Sequence, residues 1–156
     1  MSPQGREDLI GAAIQIKGEW AKADALAKLG AGMEHLSDSA RGNIIDAAMG
    51  ISDEKAKAVA LAGLGAGIAH LSERQRGVII DAAIGLDHKG ANAVALAALG
   101  SRMALLSPLQ GNRIIDAATG IHIDKYKALA LAGLGAGMAH LSAFETGGQD
   151  GASEQA

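Results

Sequence analysis

Heavy apolar residues recur along this chain at i, i+3, i+7 and i+10: Leu26, Leu29, Met33, Leu36, then Leu61, Leu64, Ile68, Leu71. The set returns as Leu96, Leu99, Met103, Leu106 and again as Leu131, Leu134, Met138, Leu141. That spacing keeps all four side chains on one face of an α-helix. Beside the stripe run small residues such as Ala58, Ala62, Gly65 and Ala69. Glycine inside a helix costs ~1 kcal/mol against alanine. Gly30, Gly65, Gly100 and Gly135 therefore point to close approach of a neighbouring helix. The leucine stripe continues through each LGAG-type stretch and predicts one unbroken helix there.

A shorter helix precedes each of these. It carries Ile44-Ile45, Ile79-Ile80 and Ile114-Ile115, with Leu9-Ile10 as a weaker first copy. It starts at a serine: Ser72-Glu-Arg-Gln75 and Ser107-Pro-Leu-Gln110 both fit a capping box, in which Ser and Gln satisfy each other's backbone amides. Pro3 and Pro108 follow their serines directly, at the first helical position, where a missing N–H leaves no bond unmade. The helix is expected to end near Gly50, Gly85 and Gly120, before a short polar link.

All of this repeats every 35 residues without a gap, as in Leu29, Leu64, Leu99, Leu134 and Ser2, Ser37, Ser72, Ser107, Ser142. A fixed period of 20–50 residues marks a solenoid or array. The expected fold is all-α: a right-handed α-solenoid of four tandem 35-residue helical hairpins, at 2–36, 37–71, 72–106 and 107–141. Ser142-Ala-Phe-Glu145 opens a fifth first helix, and the C-terminal tail, 142–156, is expected to be mostly disordered by composition. Neither outer hairpin has a clearly polar cap, so the ends are expected to pair with another copy or to continue into a longer protein.

Two helices per 35-residue unit resemble the tetratricopeptide, pentatricopeptide and HEAT-like α-solenoids. The tetratricopeptide Trp-Leu-Gly-Tyr positions are absent here. Leu106-Ser-Pro-Leu-Gln110 resembles the start of the DNA-reading repeats of bacterial transcription-activator-like effectors, which share the short-then-long helix order. The Gly-Gly-Lys-Gln stretch that those repeats place beside DNA is replaced by Gly120-Ile-His-Ile-Asp-Lys125.

Composition narrows the classes. Hydrophobic residues make up 49% of 156, yet only Trp20, Tyr126 and Phe144 are aromatic, so packing relies on Leu, Ile, Val and Ala. A net charge of −3 gives no general attraction to nucleic acid or anionic membranes. The absence of cysteine excludes disulfides and thiolate metal sites. The N-terminus lacks the basic start and apolar run of a signal peptide. A soluble chain, cytoplasmic or delivered without a cleavable signal, is expected. Ala58 to Leu71 is nearly uncharged, and Gly63/Gly67 and Gly133/Gly137 form GxxxG pairs of the kind membrane helices use. Such a run falls short of the ~20 residues that span a bilayer, so no membrane partner is expected.

Several residues carry candidate chemistry. His35, His70 and His140 recur at one position. Packed helices lie ~8–10 Å apart, too far for one zinc ion, whose ligands sit at ~2.0–2.1 Å. Their expected role is bonding to free carbonyls in a helix's last turn. His88 and His122 fall in links and are expected to be solvated. Asp46, Asp81 and Asp116 follow the Ile-Ile pairs. A carboxylate among Ile and Ala needs a partner, so a ladder to a backbone amide or to Arg41, Arg76 or Arg113 is expected, with a basic partner as the alternative. No triad or cofactor loop stands out, and no cofactor and no enzyme activity are expected.

Residues that differ between units mark partner contact. The candidates are Trp20, Lys55, Arg74, Lys89 and Lys125; the recurring Asp46, Asp81 and Asp116 join them on the basic-partner alternative. Trp20 is the one large aromatic in a link, and hot spots are enriched in Trp. The expected function is a non-catalytic scaffold binding a protein or peptide on the repeat surface. The alternatives are a nucleic-acid-binding array and a self-assembling module stacked through uncapped ends, which makes a homo-oligomer.

Overall fold

A computed structural model describes residues 1–155, with side chains through residue 139. Its helices are α1 (Pro3–Ile14), α2 (Glu19–Gly30), α3 (Asp38–Met49), α4 (Glu54–Gly65), α5 (Glu73–Ile84), α6 (Lys89–Gly100), α7 (Pro108–Thr119) and α8 (Asp124–Gln155). No strand occurs among the described residues, and the fold is all-α. The expected tail over 142–156, the capping box at Ser142 and His140 fall outside the described side chains.

Local chemistry sets the helix starts. Ser2, Ser37, Ser72 and Ser107 each accept a backbone N–H from three residues on. Ser72/Gln75 and Ser107/Gln110 close full capping boxes. Their glutamines also reach the preceding helix pair: Gln110 Nε2 donates to the Glu73 carbonyl at 2.9 Å, and Gln75 Nε2 to that of Asp38 at 3.4 Å. Gly50, Gly85 and Gly120 cap the ends of α3, α5 and α7, as expected.

The helices form two layers. In one, α1, α3, α5 and α7 pack in chain order; in the other, α2, α4, α6 and α8 do the same. The core lies between the layers, where Leu26, Ile44, Leu61, Ile79, Leu96 and Ile114 are fully buried. Burial of such a side chain contributes roughly 1.5–3 kcal/mol.

The second layer is drawn tight by glycine. A Cβ at Gly63 would overlap the Ala27 backbone, and one at Gly67 would overlap the Gly30 carbonyl. Gly133 and Gly137 stand in the same relation to Ala97 and Gly100. The GxxxG pairs thus serve packing between α2 and α4 and between α6 and α8. No described helix is long and apolar enough to cross a membrane.

One expectation is corrected. The second helix does not run unbroken through LGAG in the first three pairs. α2, α4 and α6 stop at Gly30, Gly65 and Gly100, and short 3-10 turns follow at Met33–His35, Ile68–His70 and Met103–Leu105. The turns keep Met33 and Ile68 fully buried, so the apolar stripe survives the break. Carbonyls freed by the turn find a donor: Arg41 Nε bonds the Met33 carbonyl and its Nη1 the His70 carbonyl, both at 2.8 Å.

Candidate functional site

The second layer carries a groove across its outer face. Trp20 of α2 stands at one end; Lys55, Ala58 and Val59 of α4 follow, then His88, Ala91 and Val94 at α6, then Tyr126 and Leu129 of α8. The space measures about 340 Å³. Its walls are carbon because residues four apart on one helix share a face: Lys55 with Val59, Gly90 with Val94, and Lys125 with Leu129. Trp20, Val94 and Leu129 are exposed.

Polar groups at the rim are mostly engaged. Glu19 accepts from the backbone N–H groups of Ser52 and Asp53, and Glu54 accepts from that of His88 at 2.7 Å. Asp53 caps α4 by accepting the Ala56 N–H at 3.0 Å. His88, expected to be a solvated link residue, caps α6: its Nδ1 accepts from the Ala91 N–H at 3.1 Å. Asp24 pairs with Lys28 at 3.0 Å. Lys55 and Lys125 make no ion pair among the described residues. Lys125 Nζ lies 4.9 Å from the Tyr126 ring centroid, a cation–π distance. The rim therefore holds two cations without an ion pair among the described residues, Lys55 and Lys125, with the carboxylate of Asp124 adjacent to the second.

The expected contact residues divide among three places. Trp20 and Lys55 line the groove, and Lys125 sits at its α8 end. Lys89 faces a separate hollow with Asn92 and His122. Arg74 and Asp46 share a shallow hollow between α3 and α5 on the first layer. Asp81 forms an ion pair with Arg113 of α7, and Asp116 is exposed.

The aspartate row is not set among Ile and Ala. Asp46, Asp81 and Asp116 are all exposed, because each first helix buries only its Ile-bearing side. Only the Asp81–Arg113 rung of the expected ladder forms among the described residues. Arg41 spends its guanidinium on carbonyls instead. His35 is exposed and pairs with Glu34 at 3.1 Å, so it does not cap a helix end. No cluster of metal-ligating side chains occurs among the described residues.

The sequence argument missed Val59, Val94, Tyr126 and Leu129. A signal existed: Val59, Val94 and Leu129 occupy one position 35 apart, outside the leucine stripe. Asp24 interrupts the series in the first pair. Comparison with protein-family models, with characterised proteins and with solved structures gave no match for this chain.

Proposed function

We propose that the chain is a right-handed α-solenoid of four 35-residue hairpins, acting as a non-catalytic scaffold that binds a peptide segment of a protein partner. The observation that carries this reading is the groove from Trp20 to Leu129, which crosses all four second helices. A stacked array offers such an extended surface without a deep pocket. Its chemistry selects the ligand. Apolar side chains of the peptide meet Val59, Val94 and Leu129, while acidic groups meet Lys55 and Lys125. Trp20 anchors one end.

A peptide-display selection on the immobilised chain tests this, with Val94→Asp as the counter-target. The expected outcome is enrichment of apolar peptides with acidic residues that bind Val94→Asp at least tenfold more weakly. Peptides that bind both proteins equally would overturn the groove as the site. Oligonucleotide binding that falls steeply with salt would put the nucleic-acid array in its place.

A further inference from the structure

Each helix pair shows one face to the pair before it and another to the pair after it. The same positions serve at every inner junction. Ile44, Ile79 and Ile114 are 0% exposed, whereas Leu9, at that position in the first pair, is 47% exposed. Leu26, Leu61 and Leu96 are 0% exposed, whereas Leu131, at that position in the last pair, is 40% exposed. Ile10, Ile45 and Ile80 are 5%, 3% and 0% exposed, against 38% for Ile115. The first pair thus bares the leading half of the inner interface, and the last pair bares the trailing half.

The halves also match as knob and hole. At two of the three inner junctions, a leucine side chain of one pair packs over a glycine of the pair before, while at the first Gly30 lies against the backbone of Gly63 and Leu64. A Cβ at Gly65 would meet Leu99 Cδ2 at 3.3 Å, and one at Gly100 would meet Leu134 Cδ2 at 2.9 Å. Gly135, next in that series, has nothing within 4 Å. Its knob is Leu29, half-buried beside Leu9 in a hollow of about 420 Å³ on the first pair. One end holds the open hole and the other the unplaced knob.

Two further features run on in register. Close junctions carry Gly63/Gly67 and Gly133/Gly137, while the junction between them has Ala98 and Arg102 at those positions. α2 has Lys28 and Gly32 there, so seating it on α8 continues the alternation of close and wider junctions. Asp124 holds the position from which Glu19 and Glu54 clamp backbone amides of the following pair.

We infer that copies of this chain stack head to tail, with Leu9 and Leu29 of one seated on Ile115, Leu131 and Gly135 of the next. The second copy supplies the chemistry of an inner junction: branched aliphatic knobs over glycine, with a carboxylate for the link amides. The contact is heterologous, so it does not close on a two-fold axis, and addition proceeds beyond the dimer.

Sedimentation velocity over a concentration series tests this with the full chain and two variants, Leu9→Glu and Leu131→Glu. Both positions are partly exposed in the single chain, and circular dichroism checks that the fold is kept. The expected result is a wild-type mass that rises with concentration and two variants that are each monomeric alone. Mixed one to one, the variants form a dimer that grows no further, because only one good face of each remains. If Leu131→Glu unfolds, Ile115→Glu replaces it. A wild-type chain that stays monomeric up to its solubility limit would overturn the inference. So would a variant that dimerises by itself, which marks a face pairing with its own copy, or a mixture that stays monomeric.

Discussion

The carboxylate of Glu54 on α4 accepts a hydrogen bond at 2.7 Å from the backbone N–H of His88, 34 residues further along the chain. Glu19 does the same for Ser52 and Asp53. The side chain of one second helix thus holds the link that starts the next. Lys89 occupies this position in the third pair and offers no acceptor to the link before α8. Glu54→Ala should therefore lower stability by about 1 kcal/mol, the net value of one such bond at the surface. Lys89→Glu should raise it by a similar amount, about 1 kcal/mol, by clamping the amides of His122 or Ile123. Urea midpoints of the two variants check both signs, and a stabilising Glu54→Ala would show that the clamp contributes nothing.

Glycine substitutions separate packing from helix propensity. Gly63 and Gly11 both lie inside helices, but only Gly63 has another backbone where its Cβ would go. Gly63→Ala should force α2 and α4 apart and cost about 1–3 kcal/mol or more, as overpacking does. Gly11, with nothing within 4 Å, should gain about 0.5–1 kcal/mol on change to alanine. Thermal unfolding of the pair decides it, and equal effects would mean that close approach is not the reason for Gly63.

How much of this was legible follows from how local each cause is. Helix starts were plain in Ser72 and Gln75 because a capping box is complete within four residues. The stop at Gly30, Gly65 and Gly100 was hidden, since the 3-10 turn returns Met33 and Ile68 to the core and leaves the apolar spacing unchanged. Asp46 was misplaced for the opposite reason. Its neighbours Ile44 and Ile45 are buried while the next residue turns out of the core, and composition alone does not show that angle. The groove is the least local feature. Trp20 and Tyr126 line one groove only because four helices lie side by side, so single residues such as Trp20 and Lys55 could be proposed but not the surface that joins them.

The two capping glutamines should behave differently. Gln110 is buried, with Nε2 on the Glu73 carbonyl at 2.9 Å, while Gln75 is half-buried and its bond to Asp38 is long at 3.4 Å. Gln110→Ala removes a cap and a well-formed inter-pair bond, for a loss of about 2 kcal/mol. Gln75→Ala should lose about 1 kcal/mol or less, chiefly the cap. Chemical denaturation ranks them, and the reverse order would remove the inter-pair bond from the account.

Asp81 and Arg113 join α5 to α7 through a pair exposed to water on both sides, at 62% and 44%. Surface pairs of this kind contribute about 0.2–1 kcal/mol and are screened by salt. Asp81→Asn should therefore shift the urea midpoint only slightly at low salt and not measurably at 1 M salt, where the screening length is ~3 Å. A large effect that persists at high salt would assign the rung a structural weight that its exposure does not suggest.

Trp20 gives the proposed groove its own reporter. It is the single tryptophan of the chain and stands half-exposed at the groove's end, so its fluorescence should be red-shifted and readily quenched by acrylamide in the free protein. A peptide seated from Trp20 to Leu129 covers the ring, and emission should move to the blue as quenching falls. Trp20→Ala removes little that the core uses, so stability should change by less than about 1 kcal/mol. Binding is another matter: loss of an anchoring hot spot of about 2 kcal/mol corresponds to roughly thirtyfold weaker affinity. Arg74→Ala, on the opposite layer, is the control and should bind as wild type does. If Arg74→Ala weakened binding while Trp20→Ala did not, the partner would lie on the first layer, in the hollow around Arg74.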